Sequence, residues 1–390
     1  MDPIANAAQL TPERLEATRA ASAELVRATP VLTTRSLSER CGGTIALKAE
    51  NLQRTGSFKL RGALSKVRAL AGKAEGVVAG SAGNHAQALA YAARSSGLRC
   101  EVFVPDDAPL SKVAAIRSFG AQVERGGPAV GDCLASARDA AGNRGLTFVS
   151  PYDDWDVIAG QAGVGLELAA DLPDLARVVV PVGGGGLASG VALALPGVEI
   201  VGVRAANPLQ TIADGIAVKG HGEITGPLLD EHLSGLVTVG EEHIAEAMVF
   251  LLERSKLLVE GAGAVGVAAL MAGAVEPAPT GTTVAILSGG NIDLALVAAL
   301  AARQETAAGR RIRLFTRLRD RPGGLAKLLA EIAAQNANLI QIEHVRDGID
   351  LAVRETGVEL TLETDGADHA VAIVDHLADE GYSIRVVSTD

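Results

Sequence analysis

From about residue 44 to residue 300, short β-branched apolar runs alternate with Ala/Leu-rich stretches of helical period. That alternation predicts a parallel sheet covered by helices. The strands read as TIALKAE, GVVAGSA, CEVFVP, RVVVPVG, EIVGVRA and TVAILSG, and the helices as 57–70, 84–97, 110–119, 241–256 and 292–306. The stretch GAGAVGVAALMAGAV, residues 261–275, carries no charge, yet it is shorter than the ~18 residues a bilayer span needs and reads as a packed core helix. RQETAAGRR, residues 303–311, is polar, lacks strand character and reads as a linker. Beyond it the rhythm changes. RIRLFTRL reads as a strand, PGGLAKLLAEIAAQ as a helix opened by Pro322, NLIQIEHV and GVELTLET as strands, DHAVAIVDHLADEG as a helix and YSIRVVS as a strand. The order βαββαβ is the ferredoxin-like arrangement. The chain thus divides into a large α/β domain, 1–305, and a small domain, 311–390.

Composition narrows the function classes. A formal charge of −11 speaks against a nucleic-acid partner. Only 3% of residues are aromatic, so Ala, Val and Leu must build the core. Glycine, 45 of 390 residues, exceeds the usual ~7%. It clusters beside the apolar runs, which suggests tight strand-to-helix turns. The three cysteines, Cys41, Cys100 and Cys133, form no CxxC pair and have no histidine cluster around them, which disfavours a disulfide scaffold or structural zinc and fits a reducing cytosol. MDPIANAAQLTPERLEA lacks a basic stretch followed by an apolar one, so neither a signal peptide nor a membrane partner is expected and the cytoplasm is the expected compartment.

Four turns after predicted strands carry candidate chemistry. In Thr55-Gly56-Ser57-Phe58-Lys59-Leu60-Arg61-Gly62-Ala63 a lysine opens a helix, where the positive end of the dipole disfavours it. Lys59 is either a solvated surface lysine or an amine of lowered pKa that forms a Schiff base with a carbonyl cofactor. In Val182-Gly183-Gly184-Gly185-Gly186-Leu187 four glycines abut a strand and a helix with no spacer. The run is a flexible turn or, as its N–H groups and the helix dipole favour, an anion site suited to a monophosphate. Ser81-Ala82-Gly83-Asn84-His85-Ala86-Gln87 offers N–H groups to a carboxylate and the Asn84 amide to a hydroxyl; His85 is given no proton-transfer role. In Ser288-Gly289-Gly290-Asn291-Ile292-Asp293 the Ser288 hydroxyl can meet a ring nitrogen, although a plain turn capped by Asn is as common. All four follow strands, where open α/β sheets bind ligands.

The ordered set TGSFKLRGA, SAGNHAQ, APLSKVAAIRSFGA, PYDDWDVIAGQ, PVGGGGL, TIADGIAVK, KLLVEGAGAVG and LSGGN, between about residues 12 and 305, resembles the threonine dehydratase (threonine ammonia-lyase) group of fold type II pyridoxal-phosphate enzymes, the tryptophan synthase β-like family. The resemblance implies a two-lobed parallel-sheet catalytic domain and pyridoxal 5'-phosphate as cofactor. It implies elimination of water from L-threonine to give 2-oxobutanoate and ammonia, with side activity on L-serine. Lys59 would carry the cofactor, Phe58 would pack beside it and Asn84 would bond its 3-hydroxyl. Gly183, Gly184, Gly185, Gly186 and Leu187 would hold its phosphate, and Ser288 would face its ring nitrogen. Ser81, Gly83, Asn84 and His85 would receive the substrate carboxylate. The closest competitor within the family, serine racemase, uses a serine where this chain has Ala82, which disfavours racemisation.

The carboxy-terminal segment resembles an ACT domain, an amino-acid-sensing module that pairs with its copy across a subunit interface. Asp320-Arg321-Pro322-Gly323-Gly324-Leu325 matches its strand-to-helix turn and Asn338 its later Asn, with Asn336 in place of the usual helix-ending glycine. This implies a homodimer or homotetramer and an effector, isoleucine or valine, at Gly324, Leu325 and Asn338. Coupling of this kind is typically worth ~1–3 kcal/mol. Between EIVGVRAAN and PLQTIADG the chain is some 20 residues shorter than relatives in that group, and Arg204 stands where many have a metal-binding Glu, so no metal is expected. Ala162 and Gly163 also depart from the more usual Gly and Thr/Ser. The alternatives are a serine or 3-hydroxyaspartate dehydratase, or a catalytically weakened protein that binds pyridoxal phosphate or an amino acid and regulates.

Overall fold

The structure, a computed structural model, describes residues 10–208, 210–346, 351–352 and 354–387. The chain divides into two compact units, Met1–Ile292 and Asp293–Asp390.

The first unit contains two sheets. The larger runs β1 (Val31–Thr33), β2 (Thr44–Lys48), β10 (Thr282–Ile286), β7 (Leu175–Pro181), β8 (Glu199–Ala205) and β9 (Gly235–Val239), parallel throughout except for the short edge strand β1. The smaller is fully parallel: β5 (Gln122–Arg125), β4 (Arg99–Val104), β3 (Gly76–Gly80) and β6 (Thr147–Phe148). Every residue of β3 and of β10 is buried, as strands covered on both faces must be. The crossovers include α1 (Pro12–Ser22), α2 (Arg35–Cys41), α3 (Lys59–Ala69), α4 (Asn84–Ser95), α5 (Leu110–Ser118), α6 (Val130–Arg144), α7 (Trp155–Asp171), α8 (Gly186–Ala194), α9 (Thr225–His232), α10 (Glu241–Phe250) and α11 (Gly261–Met271). The six strands read from the sequence are all present. Helix α11, buried from Gly261 to Leu270, is the core helix that the charge-free stretch implied.

Helices α3 and α7 come close enough that a Cβ on Gly160 would lie 2.4 Å from the Arg61 carbonyl oxygen. Beside this contact Arg61 is buried between two carboxylates, 2.8 Å from Glu50 and 2.7 Å from Glu167. Lys48 extends the network, donating from Nζ to Glu167 and to the Thr29 carbonyl, each at 2.7 Å.

The second unit follows the order read for it. Its antiparallel sheet is β12 (Asn338–Val345), β13 (Glu355–Glu363), β11 (Arg311–Arg319) and β14 (Arg385–Val386). Even-numbered residues of β11 and β13, among them Leu314, Leu318, Leu360 and Leu362, join Leu328 and Ile332 of α13 (Gly324–Ala334) and Ile373 and Leu377 of α14 (Ala367–Asp379) in one core. Asn336 ends α13 with φ +57, the left-handed conformation expected of a residue in glycine's place. The segment read as a linker begins inside a helix: α12 (Leu294–Ala307) runs through Arg303 and belongs to the second unit.

Candidate functional site

Lys59 is the first residue of α3, and the backbone around it is tied to the turn after β10. Phe58 N–H donates to the Ser288 carbonyl at 3.0 Å, Gly290 N–H donates to the Gly56 carbonyl at 2.9 Å, and Ser57 bridges to Gly289. The ammonium group has no carboxylate within ion-pairing distance among the described residues. Lys59 Nζ donates to the Pro151 carbonyl at 2.8 Å and stands 5.0 Å from the centre of the Phe58 ring. Burial pulls its pKa down to about 8, against the opposing pull of the Glu260 carboxylate. Of the two readings of Lys59, a buried amine of lowered pKa is the one the structure contains. Thr55 Oγ1 and Ser57 Oγ, in the same turn, are buried polar atoms that take no hydrogen bond.

The turn after β3 brings Asn84 and His85 to the start of α4. Asn84 is locked through both ends of its amide, donating from Nδ2 to Glu260 Oε1 at 2.7 Å and accepting at Oδ1 from Asn291 Nδ2 at 2.6 Å. Asn291 itself is fixed by a 2.8 Å bond to the Thr55 carbonyl. His85 is buried against the Val149 carbonyl, 2.9 Å from Nε2. A carbonyl can only accept, so Nε2 carries the proton of the neutral ring. Burial, helped by the nearby Lys59 charge, drives the His85 pKa down to about 3. The ring therefore stays neutral across the physiological range. Ser81 Oγ accepts from Gly83 N–H at 3.2 Å and shapes the turn.

The glycine turn follows β7 and opens α8. Gly185 has φ +96, which a side chain would strain. A Cβ on Gly184 would lie 2.3 Å from the Tyr152 ring, so the backbone is pressed against that side chain. No acceptor within the protein receives the N–H groups of Gly183 to Leu187 among the described residues. Their carbonyls are anchored instead: Thr225 Oγ1 donates to Gly184 and His221 Nδ1 lies 3.2 Å from the Gly183 oxygen. Amides without a protein acceptor at a helix start are what an anion requires.

Two contributors escaped the sequence reading. One is the segment Val149–Asp153, which touches three of the four turns: Val149 accepts from His85, Pro151 from Lys59, Tyr152 packs on Gly184, and Asp153 accepts from the N–H groups of Glu223, Ile224 and Thr225 at the start of α9. Its motif PYDDWD was visible, but three of these contacts use backbone atoms or ring surface that residue type does not announce. The other is Glu260, buried at the start of α11. Its own N–H donates to the Gly289 carbonyl, and burial together with the Asp214 carboxylate raises its pKa to about 7. Ser288 is buried with its hydroxyl 3.4 Å from the Ala262 carbonyl. Gly324, Leu325 and Asn338 lie in the second unit. Gly324 opens α13, and Asn338 begins β12 beyond the other end of that helix.

A half-buried lysine whose amine has a lowered pKa, a glycine turn whose amides meet no acceptor in the protein and buried hydroxyls without partners suit a carbonyl-bearing phosphate cofactor. Comparison with known proteins agrees. The family profile described as pyridoxal-phosphate dependent enzyme matches residues 23–289. The chain belongs to the family of pyridoxal-phosphate-dependent enzymes. It is 44% identical over 385 residues to the L-threonine ammonia-lyase of Geobacter sulfurreducens, spanning 93% of this chain and 96% of that one. Among solved structures it superposes on a T.th. threonine deaminase with a TM-score of 0.68 and 39% identity, over 72% of this chain and 98% of the other. A pyridoxal 5'-phosphate-dependent aspartate racemase gives 0.70 and 33%, over 73% and 97%.

Proposed function

We propose that the protein is an L-threonine ammonia-lyase, removing water across Cα–Cβ of L-threonine so that the enamine released hydrolyses to 2-oxobutanoate and ammonia. The observation that carries this reading is the Lys59 amine, buried beside the acceptor-free amides of the glycine turn. Pyridoxal phosphate, when bound, supplies the electron sink that makes the α-hydrogen acidic. Lys59 holds the cofactor and its Nζ, once free, takes the α-proton; an amine with a pKa near 8 is close to the poise a general base needs. Gly183 to Gly186 and Leu187 hold the phosphate through backbone N–H, and Phe58 packs beside the ring. Glu260 and Asn291 fix the orientation of the Asn84 amide, whose second N–H would remain to bond the 3-hydroxyl. Ser288 faces the ring nitrogen with a hydroxyl, which leaves the ring a weaker sink than a carboxylate would and favours prompt elimination. Ser81, Gly83, Asn84 and His85 receive the substrate carboxylate.

The likeness to a racemase is answered by Ala82, a methyl with no proton to deliver to the opposite face. The second unit is read as an ACT module that senses isoleucine or valine at Gly324, Leu325 and Asn338. A module of this kind pairs with its copy across a subunit interface, which supports a homodimer or homotetramer. The compartment proposed is the cytoplasm. The test is 2-oxo acid release from L-threonine by the cofactor-loaded protein, with L-serine in parallel and isoleucine added. Faster turnover of threonine than of serine, inhibited by isoleucine, is expected; cofactor absorbance without turnover of either would replace this reading with that of a regulator.

A further inference from the structure

Three successive carbonyls of the glycine turn are each held by a donor. The Gly183 oxygen lies 3.2 Å from Nδ1 of His221, Thr225 Oγ1 donates to the Gly184 oxygen at 2.5 Å, and the Gly185 oxygen accepts from Ser189 N–H at 2.9 Å, the first bond of α8. A carbonyl only accepts, so His221 carries a proton on Nδ1. The Thr225 hydroxyl accepts from Gly222 N–H at 2.9 Å and gives its single proton to Gly184 on the other side. A trans peptide unit is rigid, with its N–H opposite its C=O, and no cis bond occurs among the described residues. Fixing the carbonyls of Gly183 and Gly184 therefore fixes the N–H groups of Gly184 and Gly185, each on the side of the turn away from its anchor. The bond at Gly185 comes with the helix. The other two depend on side chains of one loop, which is itself fastened. Asp153 accepts from the N–H groups of Glu223, Ile224 and Thr225, and a Cβ on Gly222 would fall 2.1 Å from Asp153 Oδ1. Without those two anchors a run of four glycines keeps a backbone freedom that a bound ligand would have to remove.

We infer that His221 and Thr225 are positioning residues for the cofactor phosphate, aiming the Gly184 and Gly185 amides at it by holding the carbonyls at the other side of the same peptide units. This role rests on the reading of the glycine turn as the phosphate bed, and the test separates the two. The cofactor-free, full-length protein is titrated with pyridoxal 5'-phosphate and with pyridoxal, which has the same ring and aldehyde and lacks the phosphate, and binding is followed by absorbance. Thr225→Val and His221→Ala are each expected to weaken binding of the phosphate form by about tenfold, as the loss of one well-placed hydrogen bond does, and to leave pyridoxal binding unchanged. Thr225→Ser and His221→Asn return a donor to the same place, the Asn amide nitrogen standing where Nδ1 stands, and are expected to recover most of the loss. A role in packing alone would not be rescued in this way. Thr225 is buried, whereas His221 is half-buried on a loop, so the His221 variants decide the matter where Thr225→Val does not fold. An undiminished preference for the phosphate form in His221→Ala and in every folded Thr225→Val sample overturns the inference and leaves the turn as the bed. So does an equal loss of both ligands, which marks general damage to the site. No preference for the phosphate form in the unaltered protein overturns the reading of the turn itself, and the role of both residues with it.

Discussion

The amide of Asn84 donates to the Oε1 of Glu260 at 2.7 Å, and this carboxylate is buried at the start of α11 with a pKa near 7. Asn84 sits on the turn after β3 of one sheet and Glu260 beside the turn after β10 of the other, so the bond joins the two turns.

Glu260 sets a pH dependence of stability. Its folded pKa of about 7 lies above the ordinary 4.5, so its contribution is intact below pH 4.5 and is lost as pH rises through 7. The loss amounts to about 3 kcal/mol at 1.36 kcal/mol per unit. Cofactor-free Glu260→Gln keeps an acceptor for Asn84 without the charge. Urea denaturation should show it more stable than the parent at pH 8, by up to about 3 kcal/mol, with the two within about 1 kcal/mol at pH 5. A variant less stable at pH 8 would mean that the carboxylate is held by a compensating cation.

Lys59 sets the pH at which the apoenzyme accepts its cofactor. Only the neutral amine attacks a carbonyl, and the neutral fraction rises through about pH 8 in place of 10.5. The rate of reconstitution, followed by absorbance, should therefore climb to a plateau with a midpoint near 8. Lys59→Ala should lose the lysine-bound cofactor spectrum and threonine turnover together; retained turnover would remove Lys59 from its role.

Gly184 tests the glycine turn. A methyl there would fall 2.3 Å from the Tyr152 ring, closer than any real contact, so either ring or turn must move. Gly184→Ala should weaken cofactor binding at least tenfold in a titration of the apoenzyme, and adding Tyr152→Ala should recover part of it. Unchanged affinity in the single variant would place the phosphate elsewhere.

Arg61 tests the scaffold behind the lysine. Arg61→Met leaves Glu50 and Glu167 buried without their shared cation, a loss expected at about 3–5 kcal/mol in urea denaturation. A change below 1 kcal/mol would show that Lys48, 2.7 Å from Glu167, neutralises the cluster alone.

Much of this architecture was legible because apolar runs in a parallel sheet are continuous and their turns are glycine-rich. NLIQIEHV and EIVGVRA became strands over the very residues read, Asn338–Val345 and Glu199–Ala205. What escaped was short or disguised. β6 spans two residues and β1 three, too few for a periodic signal. Helix α7 contains Gly160, Gly163 and Gly165, residues of low helix propensity that blur its signal, and Gly160 is what lets α3 approach. The helix expected over 241–256 gives way after Phe250 to a wider turn, Leu251–Ser255, and ends at Lys256 with φ +59. In the candidate site, motifs singled out Lys59, Asn84 and the glycine turn. Glu260 and Val149–Asp153 went unremarked because their part depends on neighbours more than 100 residues away or on carbonyl oxygens, which every residue type shares.

The glycine turn bears on how such an enzyme can change over generations. Lys59 can be erased by a single codon change, but the N–H groups of Gly183 to Gly186 belong to the main chain and survive almost every replacement. Variation at the turn spoils the site indirectly, by adding bulk against Ile216, Tyr152, Leu229 or Thr225 or by straining the positive φ of Gly185. A lineage that loses its chemistry through the lysine would thus still hold the phosphate end of its cofactor, and would remain a ready starting point for a binding protein or for an enzyme of new specificity.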